Sequence, residues 1–150
     1  MTNAALPTSG ELRGRIHVLP VRVYYEDTDA AGVVYHSNYL RFCERGRTEM
    51  LRSIGVELGQ VQANDNLVFV VHAGEIEWRR PARLDDALTV ETALTSLGRA
   101  SILMRQVVRR GDEEIVRFNV RVACMDLATS RATPVPDHLR SKFEAFVAEV

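Results

Sequence analysis

The chain has 150 residues, 46% of them hydrophobic, with 19 Lys plus Arg against 20 Asp plus Glu and a formal net charge of −1. That length fits one domain with a modest core, and the balanced charge excludes the global basic field that a nucleic-acid binder needs. No apolar run approaches the roughly 18 residues of a membrane span.

The opening residues, MTNAALPTSGELRG, lack the charged and apolar regions of a secretory signal. A flexible tail over residues 1–15 of a cytoplasmic protein is expected, followed by a single domain over 16–150. From Ile16 to Tyr25, IHVLPVRVYY is β-rich, with Val21, Val23 and Tyr25 on one face and Arg22 and Tyr24 on the other. Pro20 has no N–H to donate, so this strand lies at an edge or starts after a bulge. EDTDAAGVVYHSN then forms a loop. A helix is predicted from about Asn38 to Ile54, capped by Asn38 or Ser37 and ended by Gly55. Tyr39, Cys43, Gly46, Met50 and Ile54 make one apolar seam, widened by Leu40, Phe42 and Leu51. Gly46 costs about 1 kcal/mol relative to Ala in mid-helix, which predicts close approach to a neighbouring element.

A loop containing Asn64-Asp65-Asn66 leads to four strand-like segments. These are Leu67 to Arg80, Ala87 to Ser96, Ser101 to Arg109, and a last strand in which Val116, Phe118, Val120, Val122 and Cys124 share a face. Pro81 to Asp86, Leu97-Gly98-Arg99 and Arg110-Gly111-Asp112 supply the turns, and a short amphipathic helix starts near Asp137. Strands joined by tight turns are antiparallel. One long helix with a wide apolar face needs cover, so an α+β fold is expected, with a curved antiparallel sheet wrapped around that helix. Its open face or edge predicts association between copies.

The chemistry concentrates between Tyr24 and Glu49. Asp27 and Asp29 follow the first strand, Gly32 breaks the backbone, and His36 stands just before the helix. Acids and a histidine at a helix N-terminus can polarise a carbonyl and deliver a nucleophile. D-T-D-A-A-G opens like a calcium loop, but Ala31 and Asn38 stand where oxygen ligands belong. His17, His72 and His138 lack comparable company and read as structural residues. Ser37 is outside any G-x-S-x-G elbow. Cys43 and Cys124 sit in apolar stretches and read as buried, reduced thiols. Neither zinc spacing nor a nucleotide-binding glycine motif is present, so no metal and no cofactor are expected.

Tyr25-Glu26-Asp27-Thr28-Asp29, Gly32-Val33-Val34-Tyr35-His36, Asn38-Tyr39 and Glu44-Arg45-Gly46-Arg47 together resemble a hotdog-fold acyl-CoA thioesterase. The nearest branch is the tol–pal-associated one, related to 4-hydroxybenzoyl-CoA thioesterase. The resemblance continues through Arg80-Pro81-Ala82-Arg83-Leu84-Asp85-Asp86 and Leu97-Gly98-Arg99-Ala100-Ser101, covering about Val21 to Leu139. It implies that Asp29 attacks the thioester carbonyl or activates water, that His36 binds and polarises the thioester, and that Tyr25 supports the aspartate. Asp27 would orient the loop. The 4-hydroxybenzoyl branch has an aromatic residue at the position of His36, and His72 stands where close relatives tend to carry arginine.

The implied substrate is an acyl-CoA, short-chain or aromatic, or an acyl carrier protein thioester. The implied assembly is a homodimer or homotetramer with sites between subunits. Coenzyme A carries phosphates, for which arginine is suited, and Arg80, Arg83, Arg99 and Ser101 are the candidates in two turns. Two rivals remain open. One is a non-catalytic acyl-thioester binder or cell-envelope interaction protein; the other is a hotdog dehydratase, whose D-x-x-x-x-H arrangement does not match this loop.

Overall fold

The computed structural model describes residues 5–148. Strand β1 (Glu11–Arg13) pairs with β2 (Ile16–Arg22), so part of the expected tail is a hairpin arm. Helix α1 (Asn38–Ser53) and a second helix, α2 (Leu58–Asp65), follow. Strands β3 (Leu67–Trp78), β4 (Ala87–Leu97), β5 (Ser101–Arg110), β6 (Glu113–Asp126) and the two-residue β7 (Arg131–Ala132) precede α3 (Asp137–Glu144). The sheet runs β1-β2-β4-β5-β6-β3, antiparallel throughout, with β7 on the end of β6. None of the described helices is long and apolar enough to cross a membrane.

Period-2 alternation explains the core. Leu88, Val90 and Leu94 of β4, Ile102, Met104 and Val108 of β5, and Val116, Phe118, Val120, Val122 and Cys124 of β6 are all buried. They receive the α1 seam of Tyr39, Phe42, Cys43, Met50 and Leu51. Gly46 is the point of closest approach: a Cβ there would lie 2.7 Å from Val90 Cγ1 and 3.0 Å from Thr92 Oγ1. Pro20 pairs with Thr89 beyond the reach of β1, on the free side of β2.

Several expectations need correction. The first strand stops at Arg22, because the Asp27 carboxylate accepts the Tyr24 N–H at 2.8 Å and curls Tyr25–Asp27 into a 3₁₀ turn. Tyr25 is therefore 83% exposed rather than buried beside Val21 and Val23. The segment before Leu67 includes helix α2; only Val61 of it is buried, so the sequence carries little periodicity there. Asn66 ends α2 at φ 54°, a left-handed conformation that Asn tolerates. Ser37 stands at the N-cap of α1 but makes no side-chain cap bond, and the Asn38 side chain donates to Asp27 across the loop. Strand β3 ends at Trp78, where the N–H groups of Arg79 and Arg80 both turn to the Ile115 carbonyl.

Candidate active site

The loop before α1 is a small hairpin. Thr28 bridges Val34, the Asp29 N–H donates to Val33 O at 2.9 Å, and Gly32, at φ +77°, makes the turn that an L-residue resists. The turn at 81–86 braces it. Val33 bridges Arg83, the Val34 N–H donates to Ala82 O, and the Ala82 N–H donates to the Tyr39 hydroxyl at 3.0 Å. Asp86 closes that turn by accepting from the Arg83 N–H at 2.8 Å and from the Arg110 guanidinium at 2.7 Å. Burial pushes the Asp86 carboxyl up, but the Arg83 N–H and Arg110 outweigh it and hold the group below the usual carboxylate range.

Asp27 is buried and saturated: one oxygen takes the Tyr24 N–H and the other takes the Asn38 side-chain amide, each at 2.8 Å. Asp29 is the opposite case. It is exposed, one oxygen accepts the Ala31 N–H at 2.8 Å, and no other side chain bonds it among the described residues. His36 is also exposed, with its ring 4.6 Å from Tyr35 and 5.8 Å, edge-on, from Trp78. The Trp78 indole N–H donates to the His36 carbonyl at 2.9 Å. Within the described residues, no hydrogen bond uses the N–H of His36 or Ser37, so the approach to α1 presents free donors.

The predicted site residues divide into two groups. The loop that bears Asp29 and His36 and the turn that bears Arg83, with Arg80 just before it, are joined by backbone contacts at one end of the sheet. Arg83 is exposed, whereas Arg80 lies 3.5 Å from Glu113. Tyr25 is nearby in sequence, but its carbonyl, not its hydroxyl, makes the contacts, both to Thr28. Arg99 and Ser101 lie past the far end of β4, whose 11 residues span roughly 35 Å. There the Arg99 and Gly98 carbonyls accept from Arg140 of α3. One chain alone does not bring Arg99 and Ser101 to Asp29.

Two features escape motif reasoning. A cavity of about 480 Å³ opens between α1 and strands β3, β5 and β6, lined by Leu40, Leu51, Phe69, Val71, Met104 and Phe118, with Arg47 at its wall. Its signal is a stripe on α1, Leu40, Glu44, Arg47 and Leu51, at spacings of four, three and four. The other is Trp78, placed over His36 by a strand that the motif does not include. Among the described residues, no group of three His, Cys, Asp or Glu side chains is placed to hold a metal ion.

Residues 23–143 match the thioesterase-like superfamily. The chain is 42% identical to the acyl-CoA thioesterase YbgC of Haemophilus influenzae over 124 residues, covering 83% of this chain and 91% of that one. It is 39% identical to the acyl-CoA thioester hydrolase YbgC of Escherichia coli O157:H7 over 126 residues, covering 83% and 93%. The crystal structure of a probable thioesterase from Bartonella henselae superposes with a TM-score of 0.77 at 36% identity, covering 81% of this chain and 99% of that one. With its antiparallel sheet packed on one long helix and its Asp-bearing hairpin at the helix start, the chain belongs to the thioesterase-like superfamily of hotdog-fold enzymes and is a thioester hydrolase.

Proposed function

We propose that this protein hydrolyses acyl-CoA thioesters in the cytoplasm, with Asp29 as the residue that opens the thioester. The observation that carries this reading is the contrast between the two aspartates of one short loop. Asp27 is buried and fully hydrogen-bonded, so it fixes the loop. Asp29 is held by one oxygen and offers the other. A carboxylate presented in this way can attack the carbonyl carbon, giving a mixed anhydride and releasing the CoA thiolate, or can take a proton from an attacking water. The tetrahedral oxyanion needs donors, and the unused N–H groups of His36 and Ser37 supply them; each good donor is worth about 3–4 kcal/mol in such sites. His36, oriented by Trp78, polarises the carbonyl. Tyr25 supports the loop, and Arg80 and Arg83 meet the phosphates of coenzyme A.

Exposure of Asp29 argues that the working site is closed by a second copy. Among the described residues strand β3 pairs only with β6, and its free edge carries exposed Val70, Val71 and Trp78, with Leu40 also exposed. Such an edge is a template for pairing. In that homodimer, or dimer of dimers, Arg99 and Ser101 serve the site of the neighbouring copy. The motif around Asp29 supports a position in the tol–pal-associated branch.

The experiment is thiol release from a panel of short-chain and aromatic acyl groups, each carried on coenzyme A and on acyl carrier protein. Turnover of the CoA esters is expected. Failure to cleave any of them, with binding retained, would leave a binding protein in place of an enzyme acting on CoA esters.

A further inference from the structure

The cavity beside α1 is apolar except for Thr48 and a charged wall of two arginines, Arg41 and Arg47, and one glutamate, Glu44. Arg47 is the unusual member. Its Nη1 donates to Gln106 Oε1 at 2.9 Å, and Gln106 is itself fully buried, anchored to the Cys43 carbonyl at 2.7 Å and to Thr92 Oγ1 at 3.0 Å. Thus the guanidinium is fixed by a neutral amide. Among the described residues no carboxylate lies within ion-pair distance of it, whereas Arg79, Arg109, Arg110 and Arg117 are each paired with one. Burial lowers its affinity for the proton, more than the neighbouring Cys43 and Glu44 raise it, so the charge is solvated poorly and only partly compensated. An unpaired cation facing an apolar chamber is costly unless something of opposite charge enters.

We propose that this cavity receives the acyl chain of thioesters that end in a second carboxylate, and that Arg47 is the specificity-determining residue that reads it. The inference rests on the acyl-CoA reading above for the identity of the thioester. Geometry supports the direction of binding. Arg41 lines both this cavity and the crevice of Asp27 and Asn38, so the cavity adjoins the head of α1. Arg47 lies nine residues further along, about 14 Å down the helix axis. A thioester at the helix head therefore directs its acyl tail along leucine and valine side chains towards the guanidinium. The planar fork of arginine matches a carboxylate with two parallel N–H bonds, a geometry lysine does not offer. Glu44 on the same wall repels anions, but the two arginines outnumber it.

Matched pairs of substrates test this: succinyl- against butyryl-CoA, glutaryl- against valeryl-CoA, and adipyl- against hexanoyl-CoA. At least one dicarboxylic member is expected to exceed its partner tenfold in kcat/KM with the wild-type protein. Arg47→Met should reverse that ratio, and Arg47→Lys should restore only part of it. Adipate and hexanoate are titrated in parallel by calorimetry, and adipate should bind the wild-type protein the more tightly. If the plain acyl esters are cleaved as well as the dicarboxylic ones in every pair, the proposal is overturned while the thioesterase reading stands. If no ester is cleaved, that reading fails, and the titration decides alone: preference for adipate upholds the carboxylate site, and equal binding overturns it. Should Arg47→Met fail to fold, the wild-type ratios carry the decision.

Discussion

The Asn38 side-chain amide donates to the Asp27 carboxylate at 2.8 Å, so the first residue of α1 is tied directly to the loop that carries Asp29. Asn38→Ala leaves a buried carboxylate oxygen without its partner, a loss of about 1–3 kcal/mol. It also frees the loop, and misplacement of a reacting group by about 1 Å can cost on the order of 10²-fold in rate. Urea unfolding and thiol-release kinetics on one preparation check both effects. Full activity in a destabilised variant would show that the tie holds the fold and not the chemistry.

Asp29 is exposed, and its one hydrogen bond, to the Ala31 N–H, is local. Asp29→Asn should therefore leave stability within about 0.5 kcal/mol while thiol release falls by at least about 10²-fold. A melting temperature near wild type with activity retained would remove Asp29 from the mechanism.

Gly46→Ala sets two effects against each other. Helix propensity favours Ala by about 1 kcal/mol, but the new methyl would meet Val90 at 2.7 Å and the Thr92 and Gln106 side chains at 3.0 and 3.1 Å. Overpacking of this kind costs about 1–3 kcal/mol, so net destabilisation is expected in urea titrations. A more stable variant would mean that the sheet yields at this point.

Acid should loosen the brace under the site. Burial disfavours the charged Asp86 carboxylate, but the Arg83 N–H and Arg110 prevail, so its folded pKa lies below the unfolded one. A depressed carboxylate contributes stability that is complete above the unfolded pKa, near 4, and is lost as pH falls through the folded pKa. The stability gap between wild type and Asp86→Asn should thus be constant at neutral pH and shrink below about pH 4. A gap unchanged between about pH 6 and about pH 3 would contradict it.

Burial pushes the Cys43 thiol up to about 12 and raises Cys124 as well. Both should stay silent towards a disulfide reagent in the native protein and react only after denaturation, when two thiols appear. Rapid labelling of the folded protein would reveal an opening near α1. Silence has a practical use, since the released CoA thiol is then the only one counted.

Legibility in the sequence followed the strength of the physical signal. Helix α1 and strand β6 were readable because each has one continuous apolar face, and Gly46 announced a contact that the sheet supplies. Helix α2 was not, since it buries only Val61. Alternation carried the first strand on to Tyr25, but a side-chain bond from Asp27 to the backbone broke it earlier, and that competition is invisible to periodicity. Motif reading names Arg83 and Arg99, in two turns, as candidates for the phosphates of coenzyme A, but not how far apart those turns lie. Turns on either side of a single strand lie at opposite ends of the sheet, so β4 itself separates them within one chain.

Trp78 is the single tryptophan of the chain, and its indole is hydrogen-bonded to the carbonyl of His36 and packed edge-on against that imidazole. The molecule thus carries one indole fluorophore, and it sits beside the proposed reaction site. Its emission, excited at wavelengths that the four tyrosines do not absorb, is an optical gauge of anything that docks there, readable in real time and without a label.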